Sequence, residues 1–160
     1  MKTRRIDNYG KINRDKILSF RWDKKNYKGF EGDTLASALL ANNIGIVGRS
    51  FKYHRPRGIF SSGVEESGAL VTIGSKDRRD PNVRATTQEL YNGLEASGQN
   101  AFPNVNFDLA GINNYLGRFF AAGFYYKTFM GIPPFEWGRG TAIWMFFEKF
   151  IRKAAGMGSA

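Results

Sequence analysis

The sequence predicts an α+β domain in which one short helix lies over a small β-sheet, with an aromatic-rich extension behind it. Three observations point there. Leu18, Phe20 and Trp22 alternate with Ser19 and Arg21, the period of a strand with one buried face. Leu35 and Leu39, and likewise Ala36 and Leu40, lie one helical turn apart. Ala69-Leu70-Val71-Thr72-Ile73 is a run of β-prone residues.

Residues 1–15 are polar and basic and read as an arm, either disordered or ordered against a partner. The alternating strand follows. Asp23-Lys24-Lys25-Asn26 is a polar turn, and Tyr27–Phe30 is the returning strand of a hairpin. Asp33 is placed to cap a helix that ends at Asn43 and Gly45. Ile44–Val47 suits a short strand. Gly48–Gly68, with Pro56 and Gly58, is a long shaped loop. After the strand at 69–73 comes a polar excursion, and Val83-Arg84-Ala85-Thr86 is expected to close the sheet. The order strand, strand, helix, long loop, strand, strand fits a β-grasp spanning residues 16–90.

Beyond it, residues 91–160 read as irregular and helical. Asp108 can cap a short helix with Ile112, Tyr115, Leu116 and Phe119 on one face. Twelve Phe, Tyr or Trp residues fall among the 32 residues from Phe119 to Phe150, more than a small domain that already has a core can readily bury alone. The stretch therefore reads as core or, more often, as an interface. Thr141–Ala155 reads as a helix with Ile143, Phe147, Phe150 and Ile151 on one side.

Composition removes several classes. The 160 residues contain no cysteine, so disulfides, Cys-ligated zinc and Cys-ligated iron–sulfur clusters are excluded. No run is long and apolar enough to span a membrane, and no apolar segment follows the basic start; the absence of cysteine fits the expected cytoplasmic location as well as any other. The formal charge is +10. It fits a polyanion such as nucleic acid, or an acidic protein surface or cofactor phosphate. The cations are scattered, apart from short clusters at Lys2–Arg5, Lys52–Arg57 and Lys76–Arg79, rather than gathered on one long helix or stripe, which disfavours nucleic acid.

Three blocks narrow the choice: Gly32–Asn42, Val47-Gly48-Arg49-Ser50-Phe51-Lys52-Tyr53-His54-Arg55-Pro56-Arg57-Gly58-Ile59-Phe60, and Phe124–Met130, supported by Arg84-Ala85-Thr86 and Ala154-Ala155-Gly156. Together they resemble the start of the alpha subunit of heterotetrameric sarcosine oxidase over roughly residues 5–157. The resemblance implies a [2Fe–2S] ferredoxin-like domain that has lost its cluster, with 91–160 leading toward a dinucleotide-binding domain for NAD. That domain's GxGxxG fingerprint is not in this chain. It further implies a folate-binding domain later in the alpha subunit, taking tetrahydrofolate, a beta subunit that holds FAD and oxidises the N-methyl amine, FMN between alpha and beta, a gamma subunit, and a delta subunit that binds zinc. The whole complex would demethylate sarcosine to glycine, giving hydrogen peroxide and formaldehyde or methylenetetrahydrofolate.

Cluster-bearing relatives carry C-x4-C-x2-C after Gly-aliphatic-Phe, and a fourth cysteine after Arg-Ala. The corresponding positions here are Ser61, Glu66, Ala69 and Thr86, none able to supply thiolate to iron. No catalytic residue is expected in this chain. Glu65 and Glu66 read as surface or salt-bridging carboxylates. His54, the single histidine, has no acidic neighbour in sequence and reads as a structural or interface residue. Arg49, Lys52, Arg55 and Arg57 around it, with Trp144, Phe146 and Phe147 in the tail, are the interface candidates. The expected role is a non-catalytic domain of the oxidase, docked on the rest of the alpha subunit and on its partners. The alternative is a free-standing module that binds an acidic protein or nucleic acid.

Overall fold

The computed structural model describes residues 4–6, 9–75, 78–119 and 140–154. The aromatic block at 124–130 lies outside these residues, as does the side chain of Trp144.

Strands β1 (Asn13–Trp22) and β2 (Lys25–Glu31) form an antiparallel hairpin. Its turn is only Asp23 and Lys24, both at positive φ (45° and 70°), the paired left-handed geometry that matches strand twist. Lys25 and Asn26, expected in the turn, belong to the strand. Leu18, Phe20 and Trp22 face the core as their alternation predicts, and Ile17 is exposed.

Helix α1 (Leu35–Ala41) buries Leu35, Ala36, Ala38, Leu39 and Ala41. Its cap is Thr34 rather than Asp33. The Thr34 hydroxyl accepts from the Ser37 N–H at 3.2 Å, and the Ser37 hydroxyl accepts from the Thr34 N–H at 3.0 Å. Asp33 is engaged elsewhere. Its buried carboxylate accepts from the Phe30 N–H at 2.8 Å and the Ser37 hydroxyl at 2.7 Å, and it pairs with both terminal nitrogens of Arg5. The stretch expected as an arm is thus pinned to the domain at Arg5, and its last residues start β1.

Helix and sheet approach closely at Gly29. A β-carbon there would lie 2.4 Å from Leu90 Cδ2 and 3.2 Å from Ala38 Cβ, so no larger side chain fits without rearrangement.

The main sheet has the order β2-β1-β7-β5-β6, where β5 is Leu70–Ile73, β6 is Asp80–Arg84 and β7 is Glu95–Gly98. β7 runs parallel to β1 and antiparallel to β5, so the final strand fills the centre. Residues 95–98 had read as irregular. They carry no strong β-former, and their conformation comes from the strands on either side. The edge strand β6 starts at Asp80 and ends before Ala85, whose carbonyl accepts from the Ala36 N–H at 2.9 Å and turns the chain toward α1. Pro81 is tolerated there because an edge strand has one unpaired side. The core gathers β1, α1, Val47, Val71, Leu90 and Leu94. One helix over a mixed sheet, with the first and last strands adjacent and parallel, is the expected β-grasp, ferredoxin-like arrangement.

Ile44–Val47 is not a strand. Instead Gly48–Arg49 (β3) and Pro56–Arg57 (β4) form a small second hairpin. Leu109–Phe119 is a 3₁₀ helix, and Gly140–Ala154 is helix α2, closed by an Arg152–Glu148 pair one turn apart. Within α2, Phe146 meets Phe147 and Phe150 edge to face, with ring centroids 5.3 and 5.6 Å apart. Met145, Phe146 and Phe150 are exposed.

Candidate functional site

Two places in the domain concentrate polar side chains. The first is the loop between Ile59 and Leu70. Glu66 was expected at the surface and is instead fully buried, 1% exposed. Hydrogen bonding drives this. One carboxylate oxygen accepts from the N–H groups of Phe60 (2.6 Å) and Ser61 (2.7 Å), and the other from those of Gly68 (2.5 Å) and Ala69 (3.1 Å). Four backbone donors that face inward on a tight loop, with no secondary structure to satisfy them, share one anion. Burial by itself raises the Glu66 pKa, but the N–H groups of Ser61, Gly68, Phe60 and Ala69 together outweigh it and hold the carboxyl below the ordinary glutamate range. The Thr86 hydroxyl ties the loop at a second point, donating to the Gly63 carbonyl at 2.6 Å. Arg84 Nε donates to the Glu66 carbonyl at 3.2 Å. Ser61, Glu66, Ala69 and Thr86, separated in sequence, thus belong to one loop and its closure.

A [2Fe–2S] cluster does not fit these residues. Its irons need soft, charged sulfur, and the chain has no cysteine. The inward N–H groups of the loop are already saturated by the Glu66 carboxylate. Among the described residues no cluster of three or more His, Asp or Glu side chains is placed to hold another metal.

The second place is a cleft of about 400 Å³ between the β3–β4 turn and the 3₁₀ helix. Its walls include Arg49, His54, Arg55, Asp108, Ile112 and Tyr115. His54, which has no acidic neighbour in sequence, meets Asp108 across 54 residues at 2.7 Å. The Asp108 side chain is fully buried. Burial raises its pKa, yet the Phe102 N–H, His54 and the Ala110 N–H more than compensate and keep it ionised below the ordinary aspartate range. An ionised carboxylate only accepts, so Nδ1 of His54 carries the shared hydrogen. His54 sits in the left-handed region, φ 53°, held by its N–H on the Ser50 carbonyl and by Arg49 Nη1 on its own carbonyl. Arg49 also donates from Nε to the Val105 carbonyl at 2.9 Å.

Arg55 donates from Nε to Asn114 Oδ1 at 2.9 Å and lies over the Tyr53 ring, 4.8 Å from its centroid. Lys52 packs on the same ring at 5.0 Å. Arg57 lies in β4 outside this cleft, and Phe146 and Phe147 lie on α2. The structure therefore joins Arg49, His54 and Arg55 in one site and adds Asp108, Ile112 and Tyr115. Asp108 had been read only as a helix cap. It does accept from the Ala110 N–H, at 3.3 Å, while its other oxygen turns to His54. No helix among the described residues is long and apolar enough to cross a membrane.

The family model for the 2Fe-2S iron-sulfur cluster binding domain matches residues 15–101. Sarcosine oxidase subunit alpha of Rhizobium meliloti (strain 1021) is 51% identical over 161 residues, covering 100% of this chain and 16% of that protein. Sarcosine oxidase subunit alpha of Corynebacterium sp. (strain U-96) is 46% identical over 90 residues, covering 54% of this chain and 9% of that protein. Among solved structures, L-proline dehydrogenase from P. horikoshii aligns with a TM-score of 0.45 at 25% identity, over 54% of this chain and 16% of that one. The chain spans only a small part of the length of these relatives. With its fold and its sequence taken together, the chain belongs to the 2Fe-2S iron-sulfur cluster binding domain family, and it carries no cysteine with which to hold that cluster.

Proposed function

We propose that this chain is a non-catalytic assembly domain of a sarcosine oxidase-like flavoenzyme. It keeps the shape of a ferredoxin domain and none of its electron transfer. The observation that supports this most strongly is Glu66, whose carboxylate takes the backbone N–H groups of the loop that carries the cluster in ferredoxin relatives. Ser61, Glu66, Ala69 and Thr86 then stand at the former ligand positions. A loop that once needed an anionic cluster to hold its donors inward now uses a side-chain anion, and keeps its geometry without iron.

In this reading FAD, FMN, NAD, tetrahydrofolate and zinc belong to the rest of the oxidase, and oxidation of the N-methyl amine takes place there. The exposed Phe146 and Phe150 on α2 and the basic turn around His54 are the surfaces that meet the remaining alpha-subunit domains and the other subunits. Anaerobic reconstitution of the chain with ferrous iron and sulfide tests the proposal. The expected outcome is no stoichiometric iron, no visible absorption and no paramagnetic signal on reduction. A bound cluster that cycles between oxidised and reduced forms contradicts it.

A further inference from the structure

We propose that the cleft between the β3–β4 turn and the 3₁₀ helix receives an aspartate or glutamate side chain from an acidic segment of a separate partner polypeptide. This rests on the assembly role given above, and adds where the partner docks and what chemistry it presents.

Charge comes first. Among the described residues that line the cleft, Arg49 and Arg55 face a single anion, Asp108, so these side chains leave it positive whatever the state of the imidazole. Arg55 commits only Nε, to Asn114, among the described residues, and its two terminal nitrogens keep four N–H donors. A planar fork of this kind matches a carboxylate in two-point contact. With Nδ1 of His54 fixed on Asp108, Nε2 has no hydrogen bond among the described residues. The chain as a whole carries +10, so an acidic partner is also attracted at long range.

Preorganisation comes second. The ring of Tyr53 supports Arg55, Asn114 fixes its Nε, Asp108 fixes His54, and two carbonyls fix Arg49. Little side-chain freedom remains to be lost on binding.

The rim gives the third reason. In a 3₁₀ helix, residues three apart share a ridge. Leu109, Ile112 and Tyr115 form such a ridge beside the cleft and are 59%, 60% and 81% exposed. Phe102 and Phe107 are exposed nearby in sequence. Apolar side chains around a charged centre keep water from an ion pair once a protein surface covers them. They offer nothing to a nucleic-acid backbone, which needs a row of cations along its phosphates. A surface this mixed in polarity suits a partner that folds separately and docks afterward.

The test uses the assembled oxidase that carries this domain. With Tyr115 replaced by a photo-cross-linking phenylalanine analogue, irradiation is expected to attach a peptide from another subunit with an Asp or Glu beside the attachment point. Attachment within the domain's own polypeptide, attachment to a segment without a carboxylate, or no attachment overturns the proposal. In parallel, Arg55→Glu is expected to weaken subunit association about tenfold or more, with an unfolding midpoint matching the parent. Arg78→Glu, on the β5–β6 connection, is expected to leave association unchanged. Equal losses, or no loss, overturn the cleft as the docking point. If removing the whole domain breaks association and Arg55→Glu does not, the cleft fails and the assembly role stands. If removing the domain changes nothing, the assembly role fails too.

Discussion

Replacing Glu66 with alanine is expected to lower the unfolding free energy of the chain by about 4 kcal/mol, among the largest effects a single substitution produces. The carboxylate accepts from four backbone N–H groups, and alanine leaves those buried donors without a partner. Each such loss costs about 1–3 kcal/mol, offset in part by water entering the gap. Glutamine separates charge from shape. Its amide has the size of the carboxylate but only one accepting oxygen. It can serve the Phe60 and Ser61 pair or the Gly68 and Ala69 pair, and its NH₂ then faces the other two donors. Glu66→Gln is therefore expected to cost nearly as much, about 3 kcal/mol, where a packing role would make it almost neutral. Urea denaturation followed by tryptophan fluorescence measures both.

The same carboxyl sets an acid limit. Its pKa is lowered in the folded state, so its contribution is fully present above the ordinary glutamate value near 4.5 and is lost as pH falls through the depressed folded value. The Asp108 carboxyl, also lowered, acts with the same sign. Stability of the parent chain is expected to hold from neutral pH into the mildly acidic range and then to drop. The Glu66→Gln chain, which lacks this group, is expected to drop less steeply.

Asp33→Ala is expected to cost about 3 kcal/mol, close to the range for breaking a buried ion pair. Asp33 is 1% exposed and holds Arg5, the Phe30 N–H and the Ser37 hydroxyl, so it joins the N-terminal stretch, β2 and α1. Removing it strands a backbone donor and a guanidinium that must turn back to water. Arg5→Ala is expected to cost only about 1–2 kcal/mol, because Asp33 keeps its bonds to Phe30 and Ser37. The order of the two substitutions distinguishes a carboxylate hub from a simple surface pair, in which both losses would be small and equal.

Much of the fold was legible in short-range pattern. The alternation of Leu18, Phe20 and Trp22, the helical spacing of Leu35 and Leu39, and the β-prone run ending at Ile73 each report a buried face directly. β7 was not legible, because Glu95-Ala96-Ser97-Gly98 has no intrinsic strand preference and owes its conformation to β1 and β5. Thr34 rather than Asp33 caps the helix because the first helical residue is Leu35, one later than the sequence suggests, and the Asp33 carboxylate is taken by Phe30, Ser37 and Arg5. The site was legible only in its cations. Arg49, His54 and Arg55 are neighbours in sequence, whereas Asp108 joins them across 54 residues, and sequence spacing carries no signal of that contact. Glu66 was misread because a carboxylate in a Gly- and Ser-rich loop has the composition of a surface residue. Its burial follows from where four N–H groups point, which only the folded loop reveals.

Under the proposed assembly role, this domain helps hold an oxidase together and passes no electrons. The most direct measurement is made on the complete oxidase carrying Glu66→Gln, reading the fraction of intact complex by native mass spectrometry and, separately, the substrate turnover per intact complex. The account predicts a smaller intact fraction, with turnover per intact complex equal to that of the parent. Full assembly with turnover per complex reduced would contradict it, because the loop would then be acting on the chemistry rather than on the architecture.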